Sequence, residues 1–277
     1  MIEKYTKNII KKSRELYING YSQEEICKKL NIPHGSIWKF LKDIPTNKRK
    51  KLPKLFRPKY QLPINSKYMS KEKARIIGYL ASEGHVRLDE GYDKKLRPFH
   101  KSNGIGYRLC KHKNALISFY NTEIILIKKY MKDFYKVYKI KTKYIKKEYE
   151  VKIRSVEVYK DLIRYCKFGS RDWYIPKGIL NNKTFSKEWL KAFCDGEAYI
   201  DNKSKRIVIN SVNKKGLISI KKLLEQLNIK SKIYGPYYWK KFKSFRITIK
   251  GKDNLIKFNK NIRFYHPKKQ IILQKIL

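Results

Sequence analysis

Two nine-residue stretches decide the fold: Ile76-Ile77-Gly78-Tyr79-Leu80-Ala81-Ser82-Glu83-Gly84 and Leu190-Lys191-Ala192-Phe193-Cys194-Asp195-Gly196-Glu197-Ala198. Each reads as the end of a helix. Small residues stand four positions apart in both, Gly78 with Ser82 and Ala192 with Gly196, which places each pair on one helix face. Because small side chains let another backbone approach closely, we expect the two helices to pack against each other.

A carboxylate ends each of these predicted helices, Glu83 in the first and Glu197 in the second. The helix macrodipole disfavours an anion there by roughly 0.3–1 kcal/mol, and packing the helices together adds like-charge repulsion. A cation must therefore compensate. A lysine could serve, but Mg²⁺ is the better match, because it takes one or two carboxylates together with phosphate oxygens and waters. Such a metal would activate a water and stabilise the leaving 3′ oxygen of a phosphodiester.

The same element order appears twice after residue 70, which predicts an internal duplication. In each copy a capped helix ends in the acid, and strands, an amphipathic helix, further strands and a last helix follow. Copy one has helices at 70–83, around 115–135 and near 156–165, with strands at 105–110 and 149–153. Copy two has helices at 186–197, near 214–227 and from 252, with strands at 206–211, 232–234 and 245–249. Glu83 and Glu197 are 114 residues apart, a length that suits one α/β subdomain.

The charge of the chain indicates its partner. The chain has 68 Lys and Arg residues and 23 Asp and Glu residues, which gives a formal net charge of +45. Hydrophobic residues make up 42% of the sequence, and this fraction excludes a disordered basic tail. Self-repulsion of that size disfavours the compact state unless a polyanion screens it, so we expect nucleic acid, with a membrane surface as the weaker alternative. No run approaches the roughly 18 apolar residues of a membrane span, and the first residues do not resemble a secretory signal.

The first 46 residues contain a regular helical pattern. Ser22 followed by Glu25 predicts a capping box, and a turn at 31–33 separates this helix from a second one with Ile37 and Leu41 on its apolar face. The pattern resembles the helix-turn-helix of DNA-binding proteins, in which the second helix lies in the major groove. A three-helix bundle that binds a protein is the alternative. The outward-facing residues of the second helix are the candidates for DNA contact: His34, Ser36, Lys39 and Lys42.

Prolines and lysines dominate the next segment. The prolines at 45, 53, 58 and 63 cannot continue a helix, and the lysines between 48 and 54 could follow a phosphate backbone. We therefore expect an extended basic linker over residues 47–69.

The cysteines at 27, 110, 166 and 194 are scattered and form no CxxC pair, and the five histidines lack ligand spacing. Neither a zinc site nor a disulfide framework is indicated. We expect reduced cysteines in a cytoplasmic protein.

The two stretches resemble the LAGLIDADG, or dodecapeptide (DOD-type), motif of homing endonucleases. Two further segments resemble archaeal members of that family, Trp173-Tyr174-Ile175-Pro176 and Phe264-Tyr265-His266-Pro267-Lys268. The resemblance covers residues 70–277 and implies an α+β fold, with two pseudo-symmetric αββαββα subdomains at 70–182 and 183–277. Their motif helices would form the interface, and two antiparallel sheets would form a saddle on double-stranded DNA.

The resemblance also implies a chemistry. The eighth motif residue binds the catalytic metal in that family, so Glu83 and Glu197 would hold Mg²⁺ or Mn²⁺, assisted by the backbone carbonyl of Ser82 or Gly196. Ala81 replaces the motif's first acid in copy one, and Ala198 replaces the closing glycine in copy two. Because both eighth-position acids are present, the expected protein is a monomeric, site-specific DNA endonuclease. A non-cleaving DNA-binding regulator and an RNA-binding or RNA-maturing protein are the alternatives.

Family enzymes keep basic residues near the scissile phosphates, late in each subdomain's sheet. Strand alternation places Lys152 and Arg154 on one face of the first sheet, and Arg246 and Lys250 on the matching face of the second. Arg154 and Lys250 are the candidates for transition-state stabilisers, although a solvated or phosphate-positioning role suits either equally. Lys152, Arg246 and, more weakly, Lys268 are candidates for DNA contact.

The ends of the chain suggest how it would act. It starts Met1-Ile2 and ends Gln274-Lys275-Ile276-Leu277, without the terminal His-Asn that protein splicing needs. We expect a freestanding endonuclease of the kind that promotes intron homing.

Overall fold

The computed structural model describes residues 7–44, 62–92, 97–101, 104–108, 111–239 and 242–277. The chain divides into two compact units, Met1–Gln61 and Leu62–Leu277. The second unit contains both repeats, which share one hydrophobic core.

The described part of the first unit consists of α1 (Lys7–Ile18), α2 (Gln23–Leu30) and α3 (His34–Leu41) around a small apolar core. The predicted capping box is confirmed: the hydroxyl of Ser22 accepts a hydrogen bond from the backbone N–H of Glu25, whose carboxylate accepts one from the backbone N–H of Ser22. Asn31, in the left-handed conformation with φ of 52°, ends α2. The predicted pair of helices with a tight turn is therefore present.

The first repeat of the larger unit follows a 3₁₀ turn at Ile64–Lys67. Its elements are α4 (Lys71–Glu83), β1 (Gly84–Tyr92), β2 (Arg97–Lys101), β3 (Gly104–Arg108), β4 (Lys111–Tyr120), α5 (Ile124–Tyr138), β5 (Tyr144–Ile145), β6 (Glu150–Ile153) and α6 (Val156–Ile163). The short helix α7 (Lys177–Leu180) leads into the second repeat.

The second repeat has the same order without the β2–β3 hairpin. Its elements are α8 (Lys183–Glu197), β7 (Ala198–Asp201), β8 (Arg206–Ser211), α9 (Lys214–Gln226), β9 (Lys232–Trp239), β10 (Phe242–Lys250), α10 (Lys252–Asn261) and α11 (Pro267–Ile276). The duplication expected from the sequence is thus visible in the order of the elements.

Each repeat forms one antiparallel sheet of four strands within the described residues. The strand order is β1-β4-β6-β5 in the first sheet and β7-β8-β10-β9 in the second. The two orders are equivalent, because in each sheet the second and fourth of its strands along the chain are central and the first and third lie at the edges. This is the α+β architecture that the sequence predicts.

Two predicted elements are wrong. Residues 115–120 belong to strand β4 and not to the long helix expected around 115–135, which begins only at Ile124. The buried Ala115, Ile117 and Phe119 alternate with period two, and β4 is paired on both sides, with β1 and β6. The apolar residues at the end of β4 and those at the start of α5 follow each other closely in the sequence. Over so short a stretch the periods of a strand and of a helix look alike, so the pattern predicts one long helix.

The predicted linker of residues 47–69 ends earlier than expected. Residues 62–69 belong to the larger unit, where Ser66 is buried and its carbonyl accepts a hydrogen bond from the Lys73 ammonium at 2.5 Å. Pro63 caps the 3₁₀ turn, so this proline begins a tight turn and does not extend the chain. Residues 45–61, which contain the whole predicted basic cluster between 48 and 54, lie outside the described residues.

Buried ion pairs fix α4 in the core. The guanidinium of Arg75 donates to both carboxylate oxygens of Asp133 on α5, at 2.7 and 2.8 Å, and to Glu188 on α8. The ammonium of Lys73 lies 2.6 Å from the carboxylate of Asp161 on α6. Charges that are buried this fully are stable only when paired, so they orient α4 against three other helices.

The described helices include none with the length and apolar composition needed to cross a membrane.

Candidate active site

The centre of the larger unit is the contact between α4 and α8. A Cβ atom added to Gly78 would lie 2.6 Å from the backbone carbonyl oxygen of Trp189 and 3.0 Å from the Cβ of Ala192. One added to Gly196 would lie 2.6 Å from the hydroxyl oxygen of Ser82. Glycine is needed at both positions because the space that a methyl group would fill is taken by the backbone of α8 beside Gly78 and by the Ser82 and Glu83 side chains beside Gly196. The predicted contact through small residues is confirmed.

This contact brings the two terminal glutamates together. Glu83 is the last residue of α4 and Glu197 is the last of α8, and both side chains are half-buried. Gly196 directly precedes Glu197, and a Cβ atom added to Gly196 would lie 2.8 Å from the Cγ of Glu83. No described side chain gives either carboxylate a hydrogen bond or an ion pair within 4 Å. The sequence prediction that these two acids meet is borne out by the packing.

The surroundings favour the protonated form of these acids. Burial raises the pKa of Glu83, and the charge of Lys269 opposes the rise. The pKa of Glu197 is raised to about 7, mainly by burial and secondly by the negative charge of Glu83. The positive charge of Lys269 again opposes the rise. Two carboxylates so close together have a strong need for a cation.

Lys269 is a candidate residue of the site that the sequence analysis missed. Its ammonium donates to the backbone carbonyl oxygens of Asp195 at 2.5 Å and Gly196 at 3.0 Å, at the C-terminal end of α8. This is the end at which the macrodipole favours a cation. Burial lowers the pKa of Lys269 below its usual value. The neighbouring Asp195 carboxylate, the Cys194 thiol and the two glutamates oppose this shift but do not cancel it.

Asp195 holds the segment that carries this lysine. One oxygen of its buried carboxylate accepts hydrogen bonds from the backbone N–H groups of Tyr265 and His266, both at 3.0 Å. Burial raises the pKa of Asp195 to about 7, against those two hydrogen bonds and the charge of Lys269. The first acid of the motif is therefore a structural residue that attaches the start of α11 to the end of α8.

Lys268, which the sequence suggested for DNA contact, points elsewhere. Its ammonium is exposed and lies 3.2 Å from a carboxylate oxygen of Glu123. Lys268 and Lys269 follow Pro267 in the first turn of α11, where neighbouring side chains point about 100° apart. The sequence could not tell which of the two lysines faces the acids, because that depends on how Asp195 docks this turn.

In the first sheet, the two candidate basic residues have different surroundings. Lys152 lies on β6 and its ammonium contacts the carboxylates of Glu150 at 2.8 Å and Glu148 at 3.1 Å. Arg154 follows the end of β6 and is exposed. Val151 and Ile153 are buried, as the predicted alternation requires. The charge of Lys152 is thus largely balanced within the protein, whereas Arg154 extends into solvent.

In the second sheet, Arg246 and Lys250 lie together on the outer face of β10. With Thr248 between them they line a shallow groove of about 210 Å³, whose other lining residues are Tyr199, Arg206, Val208, Tyr234 and Tyr237. The guanidinium of Arg246 lies 4.4 Å from the centre of the Tyr237 ring, a cation–π contact. Basic groups among tyrosines on a sheet face form a surface suited to a phosphate backbone.

The four candidates in the first unit lie at the surface, three on α3 and Lys42 directly after it. His34, Lys39 and Lys42 are exposed and Ser36 is half-buried, while Ile37 and Leu41 fill the core of the first unit. The same outward face carries Trp38, 62% exposed, which the sequence analysis did not single out. An exposed tryptophan among basic residues is a further contact candidate on this helix.

The acids of the site match the donor set of a hard divalent cation. In the described part of the chain, no group of three or more His, Cys, Asp or Glu side chains is placed so that it could hold a metal ion. A cation between Glu83 and Glu197 would therefore take its remaining ligands from backbone carbonyls, waters and a bound phosphate, which is the coordination that Mg²⁺ prefers. The Gly196 carbonyl already accepts from Lys269.

Comparison with known proteins gives one family match. A family model described as a LAGLIDADG-like domain matches residues 184–263, which run from α8 to just beyond α10. A DNA polymerase of Methanocaldococcus jannaschii is 30% identical over 217 residues. The matched region is 74% of this chain, and it spans 12% of the length of that relative.

Solved structures of similar architecture have low sequence identity. Mesophilic variants of the homing endonuclease I-DmoI align with a TM-score of 0.48 at 16% identity, over 76% of this chain and 99% of theirs. I-DmoI in complex with DNA and Mn aligns with a TM-score of 0.46 at 16% identity, over 72% of this chain and 97% of that one. Full-length DUF199/WhiA from Thermatoga maritima aligns with a TM-score of 0.41 at 11% identity, over 78% of this chain and 63% of that one.

Proposed function

We propose that this chain is a divalent-metal-dependent endonuclease that hydrolyses phosphodiester bonds at a specific site in double-stranded DNA. One observation carries the proposal: the contact between α4 and α8 brings Glu83 and Glu197 together, half-buried and without a described protein partner for either carboxylate. A purely structural pair of acids would be expected to have such partners, because unpaired buried charge is costly. The match of the second repeat to a LAGLIDADG-like domain supports the same reading.

Mg²⁺ or Mn²⁺ is the proposed cofactor, held by Glu83 and Glu197. Such an ion would activate a water for attack on phosphorus and stabilise the charge on the leaving 3′ oxygen. The chain's own groups then bind and orient the DNA. Lys269, adjacent to both acids, would keep a positive charge at the scissile phosphates, while Arg154 and Lys250 would assist from the sheet faces.

The rest of the chain provides the DNA-binding surface in this proposal. The net charge of +45 and the Arg246–Lys250 groove support binding along two sheets, one from each half, residues 70–182 and 183–277. Residues 1–46 would add a helix-turn-helix in which His34, Ser36, Lys39 and Lys42 contact DNA, and Arg246 would contact phosphates from the second sheet. Since one chain contains both halves, we propose a cytoplasmic monomer.

The test is the removal of one carboxylate charge at a time. The protein, incubated with a library of duplexes and Mg²⁺, is expected to cut a defined subset, which sequencing of the new ends identifies. On such a duplex, Glu83→Gln and Glu197→Gln should each slow cleavage at least a hundredfold, about 2.7 kcal/mol of barrier, because glutamine cannot supply the anion that holds the metal. DNA binding without metal should persist or tighten, since a negative charge leaves the surface.

Glu225→Gln is the matched control. Glu225 is exposed on α9 and its ion pair, with Lys221 at 2.9 Å, lies within that helix, so its variant should cut normally. If the parent protein cuts no duplex with any divalent ion but still binds one, the chain is a DNA-binding regulator. A preference for RNA over duplex DNA would point to the RNA-binding alternative.

A further inference from the structure

A surface cavity of about 530 Å³ lies where the end of the first repeat meets the start of α9 in the second. The loop of residues 167–174, which leads from α6 towards α7, forms one wall, and the first turn of α9 forms the other. Four cationic side chains and one tyrosine line it: Lys167, Arg171, Lys214, Lys215 and Tyr174. None of them belongs to the candidate active site or to the groove on β10.

The four cations of this cavity are exposed and have no acidic partner in the described part of the chain, where no carboxylate lies within 4 Å of the charged group of any of them. Asp172 is the one acid among the lining residues. Unpaired lysines are common on a protein of net charge +45. Here, however, cations from two separate segments converge on one cavity, which concentrates their positive potential.

The first repeat has an equivalent turn with a different charge. Glu123 precedes α5, and its backbone N–H donates to the side-chain oxygen of Asn121 at 2.8 Å. Asn213 precedes α9, and its backbone N–H donates to the hydroxyl oxygen of Ser211 at 3.1 Å. At the turn of the first repeat the Glu123 carboxylate lies 3.2 Å from the ammonium of Lys268, so the protein itself supplies the anion there.

The second repeat supplies an amide at this turn and not an acid. The Asn213 side chain donates to the carbonyl oxygen of Trp173 at 2.6 Å and accepts from the backbone N–H of Gly216 at 2.9 Å. A Cβ atom added to Gly216 would clash with the ring of Trp173, so the loop packs directly on the first turn of α9. The walls of the cavity are thus fixed against each other, while the charge of its cations stays unbalanced.

We propose that this cavity binds one nucleotide of a single-stranded nucleic acid, with its phosphate among the four cations and its base against Tyr174. The volume lies within the range of about 300–1,000 Å³ that is usual for small-ligand sites. Tyr174 is 42% exposed, so part of its surface is free for a base to stack on. Basic grooves with aromatic side chains hold single strands in many proteins, because every base has a face that stacks. A base inside a duplex cannot present that face.

The cavity and the candidate duplex surface lie on different sides of the second sheet. Phe245 and Arg246 are neighbours on β10, so their side chains point to opposite faces. Arg246 lines the groove on the outer face, whereas Phe245 is buried on the inner face, with its ring centre 5.4 Å from the ammonium of Lys214. The cavity therefore lies on the side of the sheet that carries α9. Binding there goes beyond the endonuclease function and does not depend on it.

Oligonucleotides of about 12 nucleotides, within the usual site size for single strands, test the inference. Fluorescently labelled oligo(dT) and oligo(rU) are titrated with the full chain at about 200 mM salt, where non-specific contacts are weak. We expect at least one of them to bind, and to stay bound when an unlabelled duplex saturates the protein. The same oligonucleotides with 4-thiothymidine or 4-thiouridine are cross-linked by light, and mass spectrometry of the digested protein should place the cross-link in residues 167–174 or 211–219.

Two lysines of one helix give a matched pair of variants. Lys215 and Lys222 are both exposed on α9, about two turns apart, but only Lys215 lines the cavity. Lys215→Gln should weaken oligonucleotide binding about fivefold and Lys222→Gln less than about twofold, because only the first removes a phosphate contact. Tyr174→Ala should weaken it by about fivefold or more, whereas Tyr174→Phe, which keeps the ring, should bind like the parent. Duplex binding and urea unfolding of each variant verify that the fold is intact.

The contrary outcomes are distinct. Failure of both oligonucleotides to bind, their displacement by the duplex, or cross-links outside the two segments would each overturn the inference. Equal losses in Lys215→Gln and Lys222→Gln would show that general charge, and not the cavity, holds the strand. Competition by polyglutamate as strong as that by the unlabelled oligonucleotide would point to an acidic protein partner instead. Whether the protein cuts duplex DNA is decided separately, by the cleavage assay.

Discussion

Replacing Gly78 with alanine tests the contact on which the site depends. The new Cβ would lie 2.6 Å from the carbonyl oxygen of Trp189, whereas ordinary contacts begin at 3.4 Å. The obstacle is backbone, which cannot rotate away as a side chain could, so α4 and α8 must separate locally by about 0.8 Å. Overpacking of this kind costs about 1–3 kcal/mol, against a gain of up to about 1 kcal/mol from the better helix propensity of alanine. We expect a net loss of roughly 1–2 kcal/mol.

The same displacement should affect catalysis more than stability. Glu83 is five residues beyond Gly78 on the same helix, so a shift of α4 moves its carboxylate relative to Glu197. A misplacement near 1 Å can cost about a hundredfold in rate. Urea unfolding and Mg²⁺-dependent cleavage are measured on the parent, Gly78→Ala and the control Gly178→Ala, whose Cβ meets nothing within 4 Å. The reasoning fails if Gly78→Ala is as stable and as active as Gly178→Ala.

Three further predictions concern the charges of the protein. The logarithm of the DNA binding constant should fall with the logarithm of salt concentration at a slope steeper than about −5, at about −0.9 per neutralised phosphate; a shallow slope would contradict binding along both sheets. Lys73→Met should lower the free energy of unfolding by about 3–5 kcal/mol, because it leaves Asp161 as a buried charge without its cation. Urea unfolding compares this loss with that of Lys221→Met, a half-buried surface lysine paired with Glu225, and equal losses would contradict the reasoning. Glu150 is buried, which raises its pKa, but hydrogen bonds, chiefly with Lys152, outweigh burial and lower that pKa to about 2. Because the folded-state pKa lies below the usual value, the ionised carboxylate stabilises the fold above about pH 4.5, and this contribution disappears as the pH falls through about 2. Glu150→Gln should therefore be less stable than the parent at pH 7, by at most about 3 kcal/mol, and equal to it near pH 2; a pH-independent difference in urea unfolding would argue against the ion pair.

The sequence by itself determined the duplication and its central contact. Small residues at a spacing of four, followed by an acid at a helix end, are local features, and local features can be read from one chain. They predicted that α4 and α8 would pack through Gly78 and Gly196, and that Glu83 and Glu197 would meet. The capping box at Ser22 and the alternation of β10 were equally local, because each involves residues within a few positions of one another.

The tertiary structure decided which residues surround the acids. Lys269 is 72 residues beyond Glu197, and its place at the end of α8 depends on the docking of Tyr265 and His266 against Asp195. Nothing in the local pattern distinguishes it from Lys268, which faces Glu123 instead. The burial of Glu150 and the strand at 115–120 were likewise decided by neighbouring elements. Hydrogen bonds and ion pairs between distant segments depend on how helices and sheets are packed, and a periodic pattern along the chain carries no information about that packing.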